Sequence, residues 1–134
     1  MKKEITIRMS NVLYVGTSIL GLASVSILSL IDPQSTMDLV NVKLDNTDAI
    51  SSIRGIYGGV GISVISGLSY LLMTKIILAI RFLTMFWFSY ASSRLITMVV
   101  DGPLGDFGNQ WISIESAFGI LGLILLIIDK RYRN

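Results

Sequence analysis

The chain alternates between long apolar runs and short polar segments. Four runs of roughly 20 mostly apolar residues, the length a helix needs to cross the hydrocarbon core of a bilayer, lie between clusters of charged residues. They cover residues 9–31, 49–73, 76–100 and 111–128. The pattern predicts an all-α membrane protein, an antiparallel bundle of four transmembrane helices that forms a single domain over residues 1–134.

Polar residues and prolines predict where these helices end. The first helix should stop at Asp32-Pro33, because proline cannot continue a helix and disfavours helical geometry at the residue before it. Asp48 is the predicted N-cap of the second helix. Lys75 separates the second helix from the third, and a turn rich in glycine and proline is expected over residues 101–110.

The segment between the first two helices, residues 32–48, is the one long polar stretch of the sequence. Within it Val40, Val42 and Leu44 alternate with polar residues, a period of two that indicates a short strand or an extended piece. A single strand cannot form a sheet, so we expect an ordered loop that covers one end of the bundle. A mobile loop is the alternative.

The distribution of lysine and arginine predicts the orientation in the membrane, because cytoplasmic segments carry an excess of these residues. The cations lie before the first helix, near the second connection and after the fourth helix: Lys2, Lys3, Arg8, Lys75, Arg81, Lys130, Arg131 and Arg133. The other two connections are acidic, with Lys43 as their clear cation. Both chain ends are therefore predicted to be cytoplasmic, and the expected location is the bacterial cytoplasmic (inner) membrane.

Composition narrows the possible chemistry. The sequence contains no cysteine and no histidine, and 15% of its residues are charged. Disulfides, thiol nucleophiles and histidine-bound metals are therefore excluded. We expect no metal and no cofactor, and no catalytic residue can be assigned. No basic stripe of the kind that binds nucleic acid is present either, so no nucleic-acid partner is expected. The predicted membrane helices make membrane lipids the expected partners.

Three charged residues inside the predicted helices form the candidate site. Arg54, Arg94 and Glu115 lie on three different helices, each at a depth of roughly 6–9 Å below the same, outer end. Charged residues inside a membrane are costly and usually face the interior of a bundle. Arg81 differs, because its long side chain can reach the headgroups at the opposite end. We predict an outward-facing pocket in which Glu115 pairs with one arginine and the other arginine binds an acidic group.

Small residues share the helix faces of two of these charges, at i+4 and i+7. Such residues mark close approach of a neighbouring helix in membranes, so these faces are predicted to be packing faces. The residues are Gly58 and Gly61 with Arg54 on the second helix, and Gly119 and Gly122 with Glu115 on the fourth.

Three further residues complete the predicted pocket. Tyr57 can supply a hydroxyl group, and Asp48 and Asp101 are placed at the mouth. The expected ligand is a lipid headgroup, a small acidic ligand or a segment of a partner protein, because arginine binds phosphate and carboxylate groups strongly. The alternative is a purely structural network of charges that pins the helices together and binds nothing.

The order of these motifs resembles a bacterial family of small four-helix membrane proteins, domain of unknown function 4345. The matching elements, between Asp48 and Ile128, are Arg54-x-x-Tyr57-Gly58-Gly59, Ser93-Arg94 with Asp101-Gly102-Pro103, and Glu115. The resemblance implies the same fold and points to the same residues, and it brings no reaction or ligand. Some members of that family are linked to phage infection. A looser similarity, in helix number and size, is to DoxX-type membrane subunits, some of which are linked to quinone-dependent oxidation.

Three classes of function remain open. The first is a binding or interaction protein of the membrane. The second is a quinone-linked or other membrane enzyme subunit with Glu115 as proton carrier, although a carboxylate flanked by arginines normally stays ionised. The third is a small dimeric transporter, which would need a polar path to both sides. Gly55 and Gly59 form a GxxxG pattern that indicates self-association or a membrane-protein partner.

Overall fold

A computed structural model describes residues 2–133 of the chain, with side chains over residues 4–132. The elements within these residues are all helical, and no strand is found among them. In chain order they are α1 (Lys2–Ile31), α2 (Pro33–Asp38), α3 (Thr47–Ile53), a π-helical segment (Arg54–Gly59), α4 (Val60–Thr74), α5 (Ile76–Val100) and α6 (Asp106–Arg133).

Four helices are long and apolar enough to cross a membrane, since α3, the π-helical segment and α4 follow one another without a break. The four candidate spans are Glu4–Ile31, Thr47–Thr74, Ile76–Val100 and Asp106–Tyr132. Large apolar side chains such as Met73 and Val99 are almost fully exposed in the isolated chain, as expected where lipid covers the surface. The prediction of an all-α fold with four membrane helices is confirmed, and the protein is a multi-pass membrane protein.

The helices extend further than the apolar runs that predicted them. Helix α1 begins at Lys2 rather than at residue 9, and α6 runs from Asp106 to Arg133 rather than over residues 111–128. The polar turn predicted over residues 101–110 is correspondingly shorter. The physical reason is that hydropathy marks only the part of a helix that contacts lipid, whereas backbone hydrogen bonds continue the helix into the polar region.

The predicted cap of the second membrane helix was wrong. Helix α3 begins at Thr47, and its N-cap is Asn46, whose side-chain oxygen accepts a hydrogen bond from the Ala49 amide at 2.8 Å. Asp48 lies in the first turn instead, where a negative charge interacts favourably with the positive end of the helix dipole.

The connection between the first two membrane helices begins with a short helix that was not predicted, and no strand forms at the predicted positions, residues 40–44. Helix α2 follows Asp32, whose carboxylate caps it by accepting hydrogen bonds from the Ser35 hydroxyl at 2.6 Å and the Ser35 amide at 3.3 Å. These bonds lower the pKa of Asp32, and Arg54 adds a smaller contribution. The cap therefore stabilises α2 above the ordinary pKa of aspartate, and the stabilisation is lost as the pH falls through the lowered value.

The described chain divides into two compact units. The first unit comprises Met1–Val15 and Lys75–Asn134, and the second comprises Gly16–Thr74. Helix α1 contributes its first half to one unit and its second half to the other. The prediction of one domain over residues 1–134 stays a prediction.

In the first unit α5 and α6 form an antiparallel pair joined by a short turn, in which Gly102 has a φ of +109°. Glycine adopts this left-handed conformation without the steric cost that a side chain would add. The buried core of this unit includes Ile80, Leu83 and Leu125, all at most 6% exposed. The tight turn and the apolar contacts fix how the two helices face each other.

In the second unit the membrane helix formed by α3, the π-helical segment and α4 packs on the second half of α1 through glycines. A Cβ atom at Gly58 would lie 2.5 Å from the Leu30 Cδ2 atom, and one at Gly61 would collide with the Ser26 hydroxyl. The two backbones therefore approach each other more closely than side chains at these positions would allow.

Candidate functional site

The first unit contains a buried ion pair between α5 and α6. The Arg94 Nε atom donates a hydrogen bond to Glu115 Oε2 at 2.7 Å, and Nη2 donates to Oε1 at 2.8 Å. This two-bond geometry is the strongest form of an arginine–carboxylate contact. The Glu115 side chain is 2% exposed and that of Arg94 is 21% exposed. Glu115 is thus an almost fully buried charge whose neutralisation depends on Arg94.

Close helix packing brings the two charged side chains together. One turn along α6 from Glu115, a Cβ atom at Gly119 would lie 2.9 Å from the ring of Phe88 on α5. An aromatic ring also lies beside the pair. The Arg94 guanidinium carbon lies 5.7 Å from the centre of the Phe107 ring, within the range of a cation–π interaction.

The pair is better suited to fixing the arrangement of α5 and α6 than to adding stability. Removing two charges from water carries a penalty that their attraction offsets only when the geometry is good. Here both carboxylate oxygens of Glu115 are hydrogen-bonded, and a sliding of α6 by one turn would separate them from Arg94. The ion pair therefore specifies the register of the two helices.

Tyr14 joins α1 to the same unit and was not singled out in the sequence. The Tyr14 hydroxyl donates a hydrogen bond to the Phe118 carbonyl at 3.1 Å. The same hydroxyl lies close to Gly122, where an added Cβ atom would be 2.5 Å from it. A Cβ atom at Gly122 would also collide with the Thr84 hydroxyl. The sequence did contain a signal for this contact, because polar residues at positions 11, 14 and 18 share one face of α1.

Asn11 lies one turn before Tyr14 on α1 and is 3% exposed. Its side-chain oxygen has no hydrogen-bond partner within the described part of the chain. Buried polar atoms normally have a partner, so this oxygen is an exception among the described residues.

Arg54 belongs to the second unit, where its Nε atom donates a hydrogen bond to the Leu30 carbonyl at 3.1 Å. The rest of the side chain is exposed and makes no ion pair with any described carboxylate. Arg54 opens the π-helical segment, which also contains Tyr57 and Gly58. The Tyr57 side chain is 37% exposed. A π-helical turn inside an α-helix occurs frequently at functional sites.

The predicted site residues are thus distributed over both units. The structure brings Arg94 and Glu115 together in the first unit, and it places Arg54 and Tyr57 in one turn of the second. Asp101 is the C-cap of α5, and its amide donates to the Thr97 carbonyl. A single pocket formed by all of these residues stays a prediction. Among residues 4–132, no group of three or more acidic residues is placed to hold a metal ion.

Comparison with known proteins identifies a family. No curated protein and no solved structure shows significant similarity to the chain. The family described as "Domain of unknown function (DUF4345)" matches residues 11–126. The matched range includes the predicted site residues Arg54, Tyr57, Arg94, Asp101 and Glu115. The match covers most of the sequence and includes at least part of each of the four membrane helices, and the chain therefore belongs to the DUF4345 family.

Proposed function

We propose that this membrane protein binds an anionic group, a phosphate or a carboxylate, through the Arg54 side chain. The observation that carries the proposal is the difference between the two arginines. Glu115 is fully occupied by Arg94, whereas one N–H of Arg54 is used by the Leu30 carbonyl and the remaining N–H groups are exposed. A guanidinium with free donors suits the geometry of phosphate and carboxylate.

The level of Arg54 in the membrane supports this proposal. Its partner Leu30 is the second-last residue of α1, and the apolar run ends one residue later at Ile31. The Arg54 guanidinium thus lies level with the end of this apolar run, which borders the headgroup region that holds the phospholipid phosphates. A lipid phosphate or a small anion from solution can reach this depth.

The carboxylate of Asp32 is expected to limit the affinity of Arg54 for an anion. Its carboxylate is near enough to Arg54 for the guanidinium to lower its pKa, so it competes with an incoming anion for the same positive charge. We expect Asp32→Asn to raise the affinity for the anion, because asparagine caps a helix as well as aspartate does and carries no charge. An unchanged or weaker affinity in this variant, with α2 intact, would argue against Arg54 as the binding group.

The direct test is native mass spectrometry of the protein extracted gently from its own membrane. The wild type is expected to carry a defined anionic adduct that Arg54→Gln loses. Lys43→Gln is the matched control, because it removes one exposed positive charge from the same unit and should keep the adduct. Adding inorganic phosphate or phosphatidylglycerol to the delipidated protein distinguishes a free anion from a lipid headgroup. Equal adducts in all three proteins would overturn the proposal.

The proposed location is the cytoplasmic membrane of a bacterium, with both chain ends inside. It is supported by the basic residues near the two ends and by the acidic segments 32–48 and 101–106. Alkaline phosphatase, which is active only outside the cytoplasm, should be active when fused after residue 45 or residue 103 and inactive when fused after residue 75 or residue 134. The reverse pattern of activity would contradict this orientation.

A further inference from the structure

We propose that α2 and the turn that follows it lie within the headgroup region of the membrane, where they anchor the second unit to the lipid leaflet. Three side chains of this segment, Leu39, Val40 and Val42, form what we call the aliphatic tip. The partner is the lipid surface itself, on the side of the membrane where α1 ends. The inference is independent of whether Arg54 binds an anion.

The chain folds back after α1 instead of extending into water. The Thr36 and Ser29 hydroxyls are hydrogen-bonded at 2.9 Å, and both residues are buried. Ser29 lies two residues before the end of α1, whereas Thr36 comes five residues after it. Helix α2 therefore lies beside the last turn of α1, at the level where the apolar run ends.

The aliphatic tip must lie close to the same level. Leu39 follows Thr36 by three residues, which is roughly 5 Å along a helix whatever the direction of α2. The contact between Thr36 and Ser29 thus supports a position of the segment level with the end of the apolar run of α1.

The segment presents its aliphatic tip from a rigid frame. Leu39, Val40 and Val42 are 49%, 43% and 46% exposed. The Gln34 side chain donates to the Val42 carbonyl at 3.0 Å and accepts from the Leu44 amide at 2.9 Å, which ties the turn to α2. Asn41 reverses the chain with a φ of +56°, a conformation that asparagine tolerates better than most residues.

Lipid is the occupant that this position favours. The exposed apolar surface of α1 continues to its last residue, with Ile27 51% and Ile31 74% exposed, and the tip lies level with that surface. Exposed aliphatic side chains at this depth replace contacts with water by contacts with acyl chains.

The absence of cysteine makes a clean test possible, since each introduced cysteine can be spin-labelled alone. The full-length protein is reconstituted into vesicles of phosphatidylethanolamine and phosphatidylglycerol, and the accessibility of each label to oxygen and to a water-soluble nickel chelate is measured. Ile27→Cys reports a lipid-facing position, and Asp45→Cys reports an exposed residue at the end of the segment. We expect Leu39→Cys and Val40→Cys to give oxygen-to-nickel ratios several-fold above that of Asp45→Cys.

A second variant tests whether the hydrogen bonds of Gln34 hold the aliphatic tip in contact with lipid. Gln34→Ala removes the frame that holds the turn, so the ratio at Val40→Cys should fall while the ratio at Ile27→Cys is unchanged. If the labels at Leu39 and Val40 are as accessible to the nickel chelate as the label at Asp45, the tip is in water and the proposal is wrong. Such a result would favour a protein partner outside the membrane as the occupant of the tip.

Discussion

Replacing Arg94 with alanine is expected to lower the free energy of unfolding by about 3–5 kcal/mol, because it leaves a buried charge without its partner. Glu115 is 1% exposed and both of its carboxylate oxygens are bonded to Arg94. No water reaches the carboxylate in the native fold to replace the lost bonds. The change is measured by unfolding the protein in mixed micelles with an increasing fraction of a denaturing detergent. Tryptophan fluorescence, to which the buried Trp87 and the partly exposed Trp111 both contribute, follows the transition.

Two controls test whether the loss comes from the unpaired charge. Glu115→Ala should be less harmful than Arg94→Ala, because the partly exposed Arg94 side chain can extend toward the headgroups. The double variant Arg94→Leu with Glu115→Leu should recover most of the loss, since apolar pairs often replace buried ion pairs at little cost. If the double variant is as unstable as Arg94→Ala, the ion pair contributes net stability. The interpretation that it mainly sets the register of α5 and α6 would then be wrong.

Gly122→Ala is expected to destabilise the first unit by about 1–3 kcal/mol, because the added methyl group overfills a close contact. Its Cβ atom would lie 2.5 Å from the Tyr14 hydroxyl and would collide with that of Thr84. To relieve this collision, α1 must move away from α6. That movement would lengthen the hydrogen bond from Tyr14 to the Phe118 carbonyl. The same detergent titration measures the loss.

Gly67→Ala is the matched control, because nothing lies within 4 Å of a Cβ atom at Gly67. In a helix interior, alanine is favoured over glycine by about 1 kcal/mol, so this variant should be neutral or slightly stabilising. Tyr14→Phe combined with Gly122→Ala tests the mechanism, since removing the hydroxyl should relieve part of the collision. Equal losses for Gly122→Ala and Gly67→Ala would contradict the packing seen in the structure.

The membrane helices could be predicted from the sequence because lipid imposes a long apolar run on each of them. Helix α2 could not be predicted, because its six residues are mostly polar and carry no such run. Its hydrogen bond to Ser29 forms only in the folded chain. The alternation of Val40, Val42 and Leu44 indicated a strand or an extended piece. No strand forms there: Val40 lies in a turn, and the other two lie in irregular chain after α2. A short period-two pattern is weak evidence when no second strand is available for pairing.

The sequence predicted which charged residues belong to the candidate site, but it did not predict which arginine pairs with Glu115. Charges inside apolar runs identify Arg54, Arg94 and Glu115, because such charges are rare without a partner. Which arginine pairs with Glu115 depends on helix packing, which the sequence does not encode locally. The π-helical segment at Arg54 has three glycines as its one sequence signal, and glycine-rich stretches of membrane helices also serve ordinary close packing.

The buried pair in the first unit has a consequence for how the protein enters the membrane. Arg94 is synthesised before Glu115, and α5 alone would carry an arginine into lipid at a cost that reaches roughly 2.5–3.5 kcal/mol near the helix centre. Because residues 101–105 are the whole link between α5 and α6, the two helices can leave the translocon as a hairpin with the charges already neutralised. Biogenesis of this protein thus favours joint insertion of its last two helices over their insertion one by one.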